Sequence, residues 1–416
     1  MPIICTFGAL SDRAFGGIGG PNNVKSSILL GKNTIGSFAA SVIDSTGNII
    51  VILNNTAGYN IVKYNVTGSI IYSKLVAGPT IYDAAIDSTD NIYLSGKSAN
   101  LFKIDSSGTQ LWGFDYSGLH TDIFGVSSGI TNVEVSTTNI YLSDGYSTLV
   151  VSTSGAVVSY RSGAMKKLTS ANNIFGNTSS GAVGYISTNT TTNLSTTYPL
   201  ITPFFIVQSP TVFTVSSIII SDYFVDSANS LYVVYEYNAV YTSGTVLPDR
   251  KYRAVQKIGG TYSKSVYVTS DILSSMYITV DASNNVYMTY NLNTDTTVII
   301  CTNSAGVQQW ANKIVASSGN GFYPIRIDNK GTNLYITGSY GFIVLPVNGS
   351  ISGTGNFSAA GVSYTYSAYT PTYGTTGTAS YNTATSATTT VKSSTATSNA
   401  VSVIDGTAAI TIASAS

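Results

Sequence analysis

Short apolar stretches alternate with polar residues at period two along most of the chain, and each stretch is closed by Asp, Asn, Gly or Ser. That pattern predicts β-strands joined by tight turns. One phrase recurs: apolar residues, an Asp, an Asn, then alternating apolar residues with Tyr. Clear copies centre on Asp44-Ser-Thr-Gly-Asn48, Asp87-Ser-Thr-Asp-Asn91, Asp226-Ser-Ala-Asn-Ser230, Asp281-Ala-Ser-Asn-Asn285 and Asp328-Asn-Lys-Gly-Thr-Asn333. Two degenerate copies end at Asn139 and Asn173. An Asp side chain can bond the amides of its own turn, and Asn or Gly accepts the positive φ that such turns need. Asp44, Asp87, Asp226, Asp281 and Asp328 are therefore expected to be structural blade turns.

A second phrase follows most copies, as in Lys63-Tyr-Asn-Val-Thr-Gly68, Lys103-Ile-Asp-Ser-Ser-Gly108 through Trp112, and Cys301-Thr-Asn-Ser-Ala-Gly306 through Trp310. It reads as another hairpin, closed by Gly. Two hairpins per repeat make four antiparallel strands, one propeller blade. The anchors Asn48, Asn91, Asn139, Asn173, Ser230, Asn285 and Asn333 lie 43, 48, 34, 57, 55 and 48 residues apart, near a blade's length. The fold expected is all-β, a seven-bladed β-propeller, with an irregular blade between about Met165 and Val215. Six blades plus an insertion is the alternative.

The string Asp83-Ala-Ala-Ile-Asp87-Ser-Thr-Asp-Asn91-Ile-Tyr-Leu-Ser-Gly96, followed by Leu101-Phe-Lys-Ile-Asp105-Ser-Ser-Gly108, resembles the NHL and bacterial SBBP types of β-propeller repeat. The resemblance covers about residues 34 to 349. It implies a propeller fold and leaves function open, because such propellers serve as platforms, scaffolds and occasionally enzymes. The piece ending at Trp112 is also similar to the tryptophan-docking repeat of quinoprotein dehydrogenases, a similarity that rests on one blade.

Residues 1–33 read as an N-terminal arm. Its apolar Val24 to Leu30 is expected to supply or pair with the last blade's fourth strand, because an unpaired edge invites aggregation. Residues 34–349 are the propeller. Residues 350–416 form a low-complexity Ser/Thr/Ala/Tyr-rich extension with only Lys392 and Asp405 charged. The extension reads either as a flexible tail or as a β-prone attachment and self-assembly segment, with strand alternation around the Asp-Gly turn of Val401 to Ile412.

Charge narrows the field of functions. The 416 residues carry 19 Lys+Arg against 19 Asp+Glu, and only 9% are charged. A nucleic-acid binder held by a basic face is excluded. Hydrophobic residues make up 43%, with 30 Tyr, which is ample for a core, so the surface must be uncharged and polar. Cys5 and Cys301 share no metal-ligand spacing, so neither a disulfide framework nor a zinc site is expected. The start, Met1-Pro2-Ile3-Ile4, has no basic n-region and no secretory signal is expected. No apolar run is long enough to span a membrane.

Candidate chemistry is sparse. His120 lies in a connection with Asp122, without a nucleophile elbow. Glu occurs only at Glu134 and Glu236; Asp222, Asp226 and Glu236 are neighbours in sequence, but a glycosidase pair needs a cleft between its acids. Asp87-Ser-Thr-Asp90-Asn91 clusters oxygen ligands without the spacing of a calcium loop. Gly16 to Gly20 and Gly259-Gly260 read as turns, not phosphate loops. No catalytic residue, metal or cofactor is expected. Tyr235, Tyr237, Tyr241 and Tyr252 crowd one blade, where they either stack on sugars or pack between blades.

These readings favour a non-enzymatic structural or adhesive protein. The composition resembles that of viral surface and fibre proteins, which implies a virion or particle surface, with an extracellular or cell-surface location as the alternative. Partners would be other structural proteins or further copies joined through the C-terminal extension. A carbohydrate-binding propeller lectin recognising surface glycans is the second reading, and a polysaccharide lyase or hydrolase the third.

Overall fold

A computed structural model describes residues 27–30, 37–65, 70–116, 129–145, 147–162, 164–168, 174–177, 183–186, 200–201, 205–208, 211–226, 230–243, 250–257, 263–268, 276–316, 324–330, 333–338, 341–347, 355–359, 362–371, 373 and 381–382. These residues fall into two compact units, one within Asn33–Leu200 and one comprising Ile201–Asn382 with Met1–Lys32. Cys5, Gly16 to Gly20, His120, Gly259-Gly260 and Val401 to Ile412 lie outside the described residues.

Strand β1 (Ser27–Leu30) precedes the first unit. In that unit β2 (Ser37–Ile43), β3 (Ile49–Asn55), β4 (Gly58–Tyr64) and β5 (Ile70–Val76) form an antiparallel meander. The same order repeats in β6 (Ile81–Ile86), β7 (Ile92–Gly96), β8 (Asn100–Ile104) and β9 (Gln110–Asp115). It repeats again in β10 (Asn132–Val135), β11 (Asn139–Ser143), β12 (Ser147–Ser152) and β13 (Val157–Ser162). The irregular region has three strands, β14 (Ala164–Leu168), β15 (Ile174–Asn177) and β16 (Val183–Ile186).

Central strands explain the nearly unbroken apolar runs: every residue of β4 and β7 is buried, because each sheet is covered on both faces. Ile92, Leu94, Phe102 and Ile104 pack on Ile50, Ile52, Tyr59 and Ile61 of the preceding sheet. Tyr93 and Leu101 pack the other way, on Ile140, Leu142, Leu149 and Val151. The innermost strands β2, β6, β10 and β14 adjoin in sequence order, as the inner strands of propeller blades do. Polar clamps tie them. Asn54 exchanges two hydrogen bonds with the backbone of Ile81 (2.7 and 2.8 Å), and the Asp83 carboxylate accepts the Val133 amide at 2.9 Å.

After the two-residue strand β17 (Leu200–Ile201), the second unit opens with β18 (Phe205–Gln208), β19 (Thr211–Val225), β20 (Leu231–Ser243), β21 (Arg250–Lys257) and β22 (Ser263–Val268). The 15 and 13 residues of β19 and β20 account for part of the long repeat spacing there. Next come β23 (Tyr277–Val280), β24 (Val286–Asn291), β25 (Thr296–Thr302) and β26 (Gln308–Ala316). The third sheet has β27 (Pro324–Lys330), β28 (Asn333–Gly338) and β29 (Gly341–Pro346), with β1 antiparallel to β29 from Ser27↔Val344 to Leu30↔Gly341. Val234 and Val255 pack on Ile278, Met288 and Ile300 of the following sheet.

Part of the extension is built into this unit. β30 (Gly355–Ala359) and β31 (Val362–Ala368) form a hairpin, and β31 adds to β26 through Asn312↔Ala368 to Ala316↔Tyr364. Tyr369 and Tyr373 pack against the core of the same sheet, and the Tyr373 hydroxyl donates to Gln308 Oε1 at 2.6 Å. A last two-residue strand, β32, covers Tyr381–Asn382. The described residues thus form a nearly all-β protein of successive antiparallel sheets.

Candidate functional site

The repeat phrase builds a three-residue hairpin loop. Gly47 N donates to Asp44 O at 3.1 Å and Asp44 N to Asn48 O at 3.0 Å, a type I turn followed by a left-handed residue. The left-handed position is Gly47 (φ 84°), Asp90 (φ 63°) or Asn284 (φ 61°) in three copies. Side chains then lock the loop. Asp87 Oδ1 accepts Thr89 N, Thr89 Oγ1 and Asn91 N, while its Oδ2 accepts Asn91 Nδ2 and the Tyr93 hydroxyl, all at 2.8–3.0 Å. Asp281 does the same with Ser283 N, Asn285 and the Tyr287 hydroxyl. The Tyr of the phrase is thus part of the lock.

Where that Tyr is absent, a cation stands in. Ile50 follows Asp44 at the spacing that Tyr93 keeps after Asp87, and Lys63 Nζ, from the residue opposite Ile50, reaches Asp44 Oδ2 at 2.9 Å. Lys103 and Lys257 hold the same register opposite Tyr93 and Tyr232, with their ammonium groups 5.2 and 5.3 Å from those rings. Lys257 also pairs with Asp226 at 3.4 Å. Burial opposes ionisation of Asp44, but the bonds from Lys63, Asn48 and Thr46 outweigh it and lower its pKa to about 2. Burial is likewise outweighed at Asp87 by Asn91 and Thr89, and at Asp105 by Ser107 and Thr109, so both carboxyls lie below the usual range. These acids are anchored anions, not proton donors near neutral pH. Cys301 takes the lysine's place opposite Tyr287, and burial, with Asp281 adding its charge, outweighs the Tyr287 bond and pushes the thiol up to about 12.

Asp328 differs from its expected place in a blade turn. It lies within β27 opposite Tyr335, because that hairpin keeps pairing as far as Lys330↔Asn333, and its carboxylate accepts from Arg326 Nε at 2.6 Å. Asp90 turns away from its own loop to the neighbouring repeat, accepting Ser45 N and Oγ at 2.7 and 2.6 Å. Among the described residues no three His, Cys, Asp or Glu side chains are grouped to hold a metal. Tyr235, Tyr237 and Tyr241 are in β20 and Tyr252 in β21; the ladder sets Tyr237 opposite Tyr252, and Tyr252 opposite Tyr267. Their side chains lie outside the described ones, as does that of Glu236.

One feature of the outer strands is not legible in the sequence. β9, β13 and β26 each bulge three residues after a turn glycine and β5 bulges near its start, leaving Leu111, Val158, Gln309 and Ile71 without a ladder partner. Ile71, Leu111 and Val158 are 51%, 52% and 53% exposed. A bulge twists an edge away from pairing, and the exposed aliphatic is its by-product. The turn residues at this same end of the sheets, Ser45-Thr46, Ser88-Thr89, Ser106-Ser107 and Ala282 to Asn284, are exposed and uncharged.

No protein-family model matches the sequence, and no curated protein matches it. Among solved structures, the chain is similar to virginiamycin B lyase from Staphylococcus aureus at 11% identity and a TM-score of 0.45, over 77% of this chain and 98% of the lyase. It is similar to BamB from Moraxella catarrhalis at 11% identity and a TM-score of 0.38, over 78% and 98%. The Pan2 WD40 domain of Neurospora crassa gives 12% identity and a TM-score of 0.45, over 74% and 88%. All three scores lie below 0.5, and the description of the fold rests on the strand order and registers above.

Proposed function

We propose that the chain is a non-enzymatic β-propeller platform, a structural or adhesive component of a virion or other particle surface. Its blades number seven, one for each recurrence of the repeat anchor, and residues of the C-terminal extension serve assembly. The observation that carries this reading is the state of the repeat carboxylates. Asp44, Asp87 and Asp281 hold three to four backbone and side-chain donors each within their own turns, while the residues exposed beside them are short and uncharged. Such turns make rigid display surfaces and poor acid–base machinery.

Mass spectrometry of purified particles from the source tests the role. The protein is expected there at structural stoichiometry. Its absence from particles, or turnover of a polysaccharide panel by the full chain, would contradict the reading. The blade count is checked by electron-microscopy averages viewed down the ring, where six blades or an open arc would overturn it.

A carbohydrate-binding role is the second reading, favoured by the row Tyr237, Tyr252 and Tyr267 set by the ladder, since aromatic rows suit sugar faces. A glycan array with no binder above background would remove it.

A further inference from the structure

We propose that the outer edge of β26 is a strand-binding groove for an extended, uncharged segment that ends in a spaced pair of tyrosines. Within one chain it holds that chain's own residues 362–373, and between chains it takes the same residues of a second copy. This exchange names the contact behind the assembly role proposed above and rests on that reading.

The groove is seen with its occupant in place. β31 adds to β26 from Asn312↔Ala368 to Ala316↔Tyr364, and the Tyr369 amide extends the ladder by donating to Ala311 O at 3.0 Å. In strand addition of this kind, main-chain hydrogen bonds supply affinity and side-chain pockets supply selectivity. Two aromatic anchors follow. Tyr369 packs against the buried cluster of the same sheet, and the Lys313 ammonium lies 6.0 Å from its ring centroid, a cation–π contact that an aliphatic residue could not make. Beyond the buried Pro371, Tyr373 packs on that cluster as well, and its hydroxyl donates to Gln308 Oε1 at 2.6 Å. Both recognising side chains, Gln308 and Lys313, belong to β26 itself. Lys313 is the one charge on β26 and residues 355–373 carry none, so the fit depends on backbone pairing and rings, not on ion pairs.

The occupant is separable from the sheet that it occupies. It lies outside the repeats, and among the described residues β30 and β31 pair only with β26 and with each other. Residues 347–354 join it to β29 and can reach at most about 28 Å. The hairpin of a second copy has the same sequence, so seating it remakes each of these hydrogen bonds and ring contacts. The exchanged pair then differs from two closed monomers mainly in chain connection and in the freedom lost on association. Exchange therefore follows local concentration: it is sparse in dilute solution and favoured where copies are held side by side, as on a particle surface.

A charge-swapped pair of full-length variants tests this. Lys313→Glu removes the cation from the groove, and Tyr369→Lys sets a second ammonium beside Lys313. In either variant alone, the amides of residues 364–368 should exchange with deuterium about fivefold faster than in wild type. In a mixture, the native Tyr369 of the first variant meets the native Lys313 of the second, and the introduced lysine meets the introduced glutamate. Mixing should therefore give a heterodimer in native mass spectrometry and return residues 364–368 to wild-type protection. Wild type provides a check without substitutions: unlabelled and isotope-labelled chains incubated together at high concentration should form mixed dimers whose 364–368 amides are as protected as in the monomer. A variant mixture that stays monomeric, variants that exchange these amides as slowly as wild type, or wild-type chains that never form mixed dimers would overturn the proposal. Mixed dimers of a protein absent from particles would remove the particle reading and leave the groove standing.

Discussion

β9 and β26 occupy the same place in their repeats. Each follows a glycine-closed turn, carries a Trp near its start and bulges just before it, at Leu111 and Gln309. Past the bulge they diverge. β9 ends at Asp115, and no described strand lies beyond it. β26 runs on to Ala316 and takes β31 as a neighbour. One edge is blunted by a bulge and a charge, and the other is capped by an uncharged Ser/Tyr/Thr strand of the same chain. The repeat therefore fixes the blade, while residues outside it decide whether the outer edge stays an edge.

The two regions also differ in how they are held, which orders the expected losses. Asp44→Ala should cost the most, about 3–5 kcal/mol in denaturant unfolding, because it leaves Lys63 buried without its anion. Gly155→Ala comes next, at about 2 kcal/mol or more. Gly155 sits at φ +90°, and a Cβ there would meet the Phe114 ring at 1.8 Å. Acid should act through the locks: a carboxyl with a depressed pKa stabilises the fold above its ordinary value of 3.8 and loses that contribution as pH falls through its folded value. Asp44 alone should account for roughly 2 kcal/mol lost between about pH 4 and pH 2, read from unfolding at stepped pH. Tyr373→Phe, on the capped edge, removes one hydrogen bond and should cost about 1 kcal/mol. Leu111→Thr should stay within about 0.5 kcal/mol because Leu111 projects from a bulge into solvent. If Tyr373→Phe cost more than Asp44→Ala, the contrast between locked turns and an appended strand would be reversed.

Local chemistry was legible in the sequence, and its limits have physical causes. The bonds within the turns at Asp44, Asp87 and Asp281 join residues no more than six apart, whereas the Lys63 partner of Asp44 comes from a later strand. The degenerate repeat at Asn139 keeps a shorter version, in which Ser136 Oγ accepts the Asn139 amide at 3.0 Å. Asp328 misled because strand length, set by pairing with the next strand, carried the ladder past it. The bulges depend on how neighbouring strands twist, and the docking of β31 on β26 joins residues about fifty positions apart. Neither leaves a mark on the hydrophobic pattern. The tyrosines of β20 and β21 were recognisable as a cluster, but their register, which sets Tyr237 opposite Tyr252, required the ladder.

Whether the repeat carboxylates are structural anchors is tested most directly by the titration of Asp44 in the intact folded chain. Carbon NMR of selectively labelled aspartate carboxyls, assigned with Asp44→Asn, would give its midpoint. A value of about 2 is expected, as the bonds from Lys63, Asn48 and Thr46 require. A midpoint at or above the ordinary 3.8 would contradict it, because burial would then outweigh those bonds and leave a carboxyl free to exchange protons.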